Sequence, residues 1–234
     1  MLQLETDAGM DRINFGVHSL HPDFVARYEN GLAASQMPDH PWRPARFFHL
    51  VQMFRLTRGV AGATAEAGCF RGLSSYLVCA EQRDENPAFD GSTHFIVDSF
   101  EGLSEPVEAD GTFGRQRYEE GAFTETSVEH LTQALSDFPG TNINKGWIPE
   151  VFNSLPEQTY RFAHIDVDLY EPTLASLEYF YPRLERGGAV VIDDFGPWPG
   201  NKWPGCAVAV REFSERAGVP FASFDTGNAV LFKR

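Results

Sequence analysis

Two short apolar runs each end in a pair of aspartates. Phe162-Ala163-His164-Ile165-Asp166-Val167-Asp168-Leu169-Tyr170 carries the first pair, and Gly188-Ala189-Val190-Val191-Ile192-Asp193-Asp194-Phe195 the second. Four carboxylates brought together repel one another unless a cation sits among them. A set of hard oxygen ligands points to Mg²⁺, Mn²⁺ or Ca²⁺ rather than zinc. On an extended strand, Asp166 and Asp168 would point to the same side. The alternative for either is a capping role on the helix that follows, near Glu171-Pro172. Two adjacent acids such as Asp193 and Asp194 at a buried strand end have little structural purpose.

A helix-like stretch from Pro172 to Arg183 separates the two runs, so the segment reads as β-α-β. The strands should then be parallel and adjacent, with both carboxyl ends on one edge of the sheet. Ligands of open α/β sheets bind at that edge. Upstream, strands are expected at Thr64-Ala65-Glu66, at His94-Phe95-Ile96-Val97-Asp98 and briefly at Asn142 to Lys145. Helices are expected from Gly72 to Glu81 and from Ser127 to Phe138. After a loop at Pro197 to Pro204 and a helix over Ala207 to Ala217, Phe221 to Phe224 and Ala229 to Phe232 form a closing hairpin. The expected fold is α/β, a mostly parallel sheet with an antiparallel C-terminal edge. Residues 1–58 read as an N-terminal helical lid, residues 59–234 as the α/β domain. Within the lid, a short helix from His21 is stopped by Asn30-Gly31, and a second runs from about Pro44 to Thr57.

Glu66-Ala67-Gly68-Cys69-Phe70-Arg71-Gly72 marks the first strand-to-helix turn. Glycine there lets backbone approach a ligand, and the helix N-terminus offers N–H groups to an anion. The middle glycine of a dinucleotide turn is missing. Asp98, ending the second strand, can accept both hydroxyls of a ribose. An adenosyl ligand without a pyrophosphate therefore fits better than a nicotinamide dinucleotide. Arg71 is a candidate for a ligand carboxylate, or forms a surface ion pair. His164 is a candidate base, or a satisfied core histidine. Between Ser99 and Ala122 lies a long acidic and aromatic insertion. The aromatics Phe100, Phe113 and Tyr118 within it and Phe123 just after it form an acceptor lid or anchor the insertion.

The chain has 234 residues, 42% of them hydrophobic, with 33 acidic against 19 basic residues and a net charge of −14. That balance disfavours nucleic acid and anionic membrane surfaces as partners. Met1 to Arg12 lacks the pattern of a signal peptide. Cys69, Cys79 and Cys206, scattered and odd in number, fit a reducing cytoplasm.

His164-Ile165-Asp166-Val167-Asp168-Leu169-Tyr170-Glu171-Pro172-Thr173, Tyr181-Pro182-Arg183-Leu184 with Gly187-Gly188, and Asp193-Asp194-Phe195 closely resemble the macrocin O-methyltransferase (TylF) family. Asp98-Ser99-Phe100-Glu101-Gly102-Leu103 and Lys145-Gly146-Trp147 match the same pattern, and the likeness runs from about His21 to Phe213. The resemblance implies a class I methyltransferase fold and methyl transfer from S-adenosylmethionine to a sugar hydroxyl of an antibiotic or related metabolite, with Mg²⁺ (or Mn²⁺) bound. By that likeness Asp166, Asp193 and Asp194 are the metal ligands and Asp168 the general base. Met37, Glu66, Gly68, Phe70, Asp98, Ser99, Gly146 and Trp147 line the cofactor. The acceptor is a glycosylated or carbohydrate-like small molecule, and a homodimer is an expectation of the resemblance alone. The loop after Asp194, with Trp198 and Trp203, is heavier than the family pattern. Three rival readings remain. A catechol-type O-methyltransferase would expect a lysine near the first metal aspartate, and Phe162 to Arg183 holds none. A non-catalytic adenosyl-binding protein would bind without turnover. A nicotinamide oxidoreductase is opposed by the missing glycine.

Overall fold

In the computed structural model, which describes residues 17–111, 123–196 and 204–234, every stretch expected to be a strand joins a single sheet. Phe113, Tyr118, Trp198, Trp203 and the segment Met1 to Arg12 lie outside the described residues. In chain order the helices α1 (Pro22–Ser35) and α2 (Arg43–Arg55) precede β1 (Ala63–Ala67), α3 (Leu73–Glu85) and β2 (His94–Asp98). There follow α4 (Val128–Ala134), β3 (Asn142–Lys145), β4 (Tyr160–Ile165), α5 (Tyr170–Arg183), β5 (Leu184–Ile192), α6 (Pro204–Ala217), β6 (Ala222–Ser223) and β7 (Ala229–Phe232). The strand order is β3-β2-β1-β4-β5-β7-β6. The β1–β2, β1–β4, β2–β3 and β4–β5 pairs are parallel, whereas β7 runs antiparallel to both β5 and β6.

Register decides what the sheet presents at its carboxyl edge. Ala67 pairs with Val97 on one side and Ile165 on the other, and Ile165 pairs with Ile192. The ladder then continues one bond further: Gly68 N–H donates to Val97 O, Asp166 N–H to Ala67 O and Asp193 N–H to Ile165 O, at 2.8 to 2.9 Å. Gly68, Asp166 and Asp193 are thereby held level by backbone hydrogen bonds.

Burial follows the pleat. Ala163, Ile165, Val190 and Ile192 pack into the cluster with Leu177 and Phe180 of α5 and Val210 and Phe213 of α6. Phe162, Ala189 and Val191 face the other way, against Phe24 of α1, Phe47, Leu50, Val51 and Phe54 of α2, and Leu73 and Leu77 of α3. A sheet covered on both faces needs apolar residues at every position, which explains why these strands read as continuous apolar runs. Among the described residues, no helix is long and apolar enough to cross a membrane.

The helix starting near His21 does not stop at Asn30-Gly31; α1 continues to Ser35 and ends on Gln36 in the left-handed region. A Cβ at Gly31 would come within 2.7 Å of Leu73 and 2.9 Å of Tyr76, so this glycine serves close packing of α1 on α3. Charge reinforces the joint. Glu81 of α3 is fully buried, and Arg55 of α2 grips both its carboxylate oxygens at 2.7 Å, with Arg27 of α1 in contact as well. Removing one member of such a buried pair strands the rest without compensation. Glu81→Ala should therefore cost about 3 kcal/mol in urea unfolding. A loss below about 1 kcal/mol, the range of surface pairs, would contradict this role.

Candidate active site

At the carboxyl edge the turns after β1, β2, β4 and β5, together with the N-terminal end of α2, enclose a cavity of about 520 Å³. Of the residues expected at the site, Met37, Gly68, Phe70, Asp98, Ser99, Gly146, Trp147, Asp166, Asp168, Asp193 and Asp194 all line it. Glu66 does not. It is buried between α3 and β4, where Ser75 Oγ donates to its Oε2 and His164 Nδ1 lies 2.7 Å from its Oε1. The sequence motif locates Glu66 along the strand, but the pleat sends its side chain into the sheet–helix layer.

The β1 turn is built for close approach. Gly68 has φ +79°, and a Cβ there would lie 2.0 Å from the carbonyl oxygen of Asp166. Asp98 accepts from the Cys69 N–H at 2.8 Å and from the Phe100 N–H at 2.7 Å, which ties the β1 and β2 turns together and fixes its carboxylate at the cavity wall. Oδ2 also accepts from the Cys69 thiol at 3.4 Å, and Oδ1 keeps a second lone pair for a ligand hydroxyl. Phe70, at φ +44°, meets Phe123 edge to face at 5.5 Å across the mouth. Among the described residues, Arg71 neither lines the cavity nor forms an ion pair; its Nη1 donates to Gln36 O at 3.0 Å.

Beyond β4 and β5 the aspartates converge. Asp166, Asp168 and Asp194 each offer a carboxylate oxygen within 4.8 Å of the others, and His164, Asp166 and Asp193 form a second such group. The convergence has a different origin from the strand pleat expected. β4 ends at Ile165, and Asp168 and Asp194 occupy the left-handed region at φ +61° and +56°. Non-glycine residues held there store strain, which is concentrated at functional sites. Asp168 does not cap α5 either: the Tyr170 N–H donates to the buried Asp110 at 2.8 Å.

Electrostatics sort the four acids. Burial, then the neighbouring carboxylates, push Asp166 and Asp168 well above the usual carboxylate range. Burial acts in the same direction on Asp193, but Arg46 and His164 outweigh it and leave that carboxyl below its ordinary value. Asn228 Nδ2 also donates to Asp193 Oδ1. His164 is 1% exposed, with Nε2 3.6 Å from Asp193 Oδ1. Burial alone would push its pKa down, yet Asp193 and Glu66 raise it to about 10. His164 is thus a buried countercharge outside the cavity lining, not a base facing a ligand.

Arg46 was not expected here. Its Nε lies 2.8 Å from Asp193 Oδ2 and its Nη2 3.0 Å from Asp194 Oδ1, off the line of a hydrogen bond. Burial opposes its charge, but Asp193, Asp194 and Asp166 raise its pKa above the normal arginine value. Arg43, one turn earlier on the same helix face, also lines the cavity, as do His40, Trp42 and Phe47. The available signal was a pair of arginines three residues apart at the start of a helix, directly before its apolar residues Phe47, Phe48, Leu50 and Val51.

A sheet of this order, with a glycine turn and ribose-type acid after its first two strands, defines a class I methyltransferase fold. The profile of the macrocin-O-methyltransferase (TylF) family matches residues 45–234. The chain therefore belongs to the macrocin-O-methyltransferase family. Among relatives, it is 27% identical over 174 residues to a mycinamicin III 3''-O-methyltransferase of Micromonospora griseorubida, covering 70% of this chain and 65% of that protein. It is also 27% identical over 186 residues to 8-demethyl-8-(2,3-dimethoxy-alpha-L-rhamnosyl)-tetracenomycin-C 4'-O-methyltransferase of Streptomyces olivaceus, covering 76% and 68%. The match thus spans about two thirds of those relatives' own lengths. Solved structures with the same fold include the O-methyltransferase NovP, with TM-score 0.68, 22% identity and 80% and 79% of the two chains covered. CalS11, a calicheamicin methyltransferase, matches at TM-score 0.65 and 21% identity over 90% and 93%.

Because Gly68 has no room for a methyl group, Gly68→Ala should cost about 2 kcal/mol through overpacking against the Asp166 backbone. An unchanged urea midpoint would contradict the close approach.

Proposed function

We propose that the protein is a Mg²⁺-dependent O-methyltransferase that moves the methyl group of S-adenosylmethionine to a hydroxyl of a sugar moiety on a natural product. The observation that supports this best is the meeting of Asp166, Asp168, Asp193 and Asp194 in the same cavity as Gly68 and Asp98. The naming of relatives for 3''- and 4'-O-methylation, one on a rhamnosyl-bearing compound, supports the sugar acceptor.

The donor set of Asp166, Asp193 and Asp194 suits a hard divalent ion: crowded carboxylate oxygens, buried at Asp193 and half-buried at the other two. The upward displacement of Asp166 and Asp168 signals a deficit of positive charge that a cation would fill. Asp166, Asp193 and Asp194 would hold it, with His164 and Asn228 steadying Asp193 from behind. Bound there, a divalent cation supplies charge that lowers the pKa of a nearby hydroxyl.

The chain's own residues perform the remaining tasks. Asp98 receives the ribose hydroxyls, and Gly68 lets the methionine end of the cofactor lie against backbone. Asp168, its backbone turned at φ +61° toward the other acids, takes the hydroxyl proton as the acceptor oxygen bonds to the methyl carbon. The carbon–sulfur bond breaks in the same step and S-adenosylhomocysteine leaves as a neutral thioether. The described part of the N-terminal segment, residues 17–58, acts as a cover on the α/β domain, since Met37, His40, Trp42 and Phe47 close one side of the cavity. Water excluded by that cover strengthens the electrostatic effects inside.

Two outcomes check this reading. With a labelled cofactor and a panel of glycosylated acceptors, EDTA should abolish transfer and added Mg²⁺ should restore it; full turnover in excess chelator contradicts the cation. Asp168→Asn should lower kcat about 10²- to 10⁴-fold. Asp168 must be ionised to act, so the wild-type rate should fall as pH drops through the titration of its carboxyl in the cation-loaded site. The variant's residual activity should lack this acid limb, and a kcat within threefold of wild type would exclude Asp168 as the base.

A further inference from the structure

Arg46 places a cation of the protein's own on two of the carboxylates that the proposed divalent ion needs. Its side chain is 11% exposed, and its two ion-pair contacts are Asp193 Oδ2 at 2.8 Å and Asp194 Oδ1 at 3.0 Å. The other oxygen of Asp193 already accepts from Asn228. Both nitrogens of Arg46 sit close to the carboxylates without hydrogen-bond alignment, so the contact is one of charge. The guanidinium thereby sets one positive charge against both carboxylates at once.

The helix carrying Arg46 is tied at both ends. Its C-terminal end is bound through Arg55 to the buried Glu81. At the N-terminal end the Arg43 N–H donates to His40 O at 2.9 Å, Arg43 Nη1 donates to Pro38 O, and the Arg43 guanidinium lies over the Trp42 ring at 5.2 Å, so the Arg46 contact is one of a small set that holds this end. Trp42, Arg43, Arg46 and Phe47 all face the cavity from that end. Whatever happens to the Arg46 contact is felt by this wall of the site.

We propose that Arg46 is a resident countercharge that competes with the divalent cation for Asp193 and Asp194, so that cation binding loosens the N-terminal end of α2. This rests on the cation reading given above. Like charges sharing one pair of carboxylates weaken each other's binding by Coulomb repulsion, strongly where water is excluded. In the cation-free protein Arg46 offsets the repulsion among four acids and keeps them assembled. With the cation present, the guanidinium loses part of its attraction and α2 gains freedom to move at its cavity end. Arg46 is thus a positioning residue that links the occupancy of the acidic cluster to the covering segment.

The test is calorimetric titration of Mn²⁺ into the full chain as wild type, Arg46→Met and Arg46→Lys, with hydrogen exchange of residues 42–48 measured with and without Mn²⁺. Thermal melts establish that each variant is folded. Arg46→Met should bind Mn²⁺ about tenfold or more tightly than wild type, as expected from removing one nearby positive charge. Arg46→Lys keeps the charge and should stay within about threefold of wild type. Mn²⁺ should speed exchange across residues 42–48 in wild type and leave it unchanged in Arg46→Met. Weaker or equal Mn²⁺ binding by Arg46→Met, equal tightening by Arg46→Lys, or slower or unaltered wild-type exchange would each overturn the competition. Wild type that binds Mn²⁺ while Arg46→Met gains nothing removes only this inference. Wild type giving no Mn²⁺ heat removes the cation reading and the competition together.

Discussion

Repulsion among crowded, largely shielded carboxylates is the constraint on which this site depends. Asp166, Asp168 and Asp194 bring oxygens within 4.8 Å of each other, and Asp193 stands beside Asp166 and His164. Ionised acids at that separation, away from water, are tolerable only with positive charge in place. The protein supplies some of it through Arg46 and a protonated His164. That supply is uneven: Arg46 and His164 hold the Asp193 carboxyl below its ordinary pKa, whereas burial and neighbouring carboxylates push Asp166 and Asp168 up. Further positive charge among them would favour the ionised form that both a ligand and a base need.

The fold maintains this arrangement with backbone rather than side chains. Parallel registers bring β1, β4 and β5 to a common edge, and one more ladder bond per strand carries Gly68, Asp166 and Asp193 past it. Left-handed turns at Asp168 and Asp194 then aim the remaining acids inward. Because Gly68 lies against the Asp166 carbonyl, the cofactor turn and the acidic turn are a single packed unit. An error at one would displace the other, which is the requirement for an in-line methyl transfer where small misplacements are costly.

The acidic edge was legible in the sequence because parallel strands buried on both faces are mostly apolar, so a pair of acids closing such a run marks a strand end. Phe162 to Ile165 before Asp166, and Ala189 to Ile192 before Asp193, show this directly. The ribose-side acid, Asp98, was legible for the same reason. What escaped depended on side-chain direction or on contacts distant in sequence. Glu66 follows the motif's position, but its side chain enters the layer shared with Ser75 and His164. Gly31 looks like a helix stop until Leu73 and Tyr76 are packed against it. Arg46 and Asp110 owe their roles to partners on other elements, Asp193 and Asp194 for one and the Tyr170 N–H for the other, which no local pattern announces.

The central claim is that these acids jointly hold a divalent ion next to an adenosyl ligand. The most direct measurement is an anomalous difference map from crystals grown with Mn²⁺ and S-adenosylhomocysteine. The account predicts a single strong peak within bonding distance of oxygens from Asp166, Asp193 and Asp194, with the ribose hydroxyls on Asp98. A structure with the nucleoside bound and no Mn²⁺ at that cluster, or with Arg46 seated on Asp193 and Asp194 in saturating Mn²⁺, would contradict it.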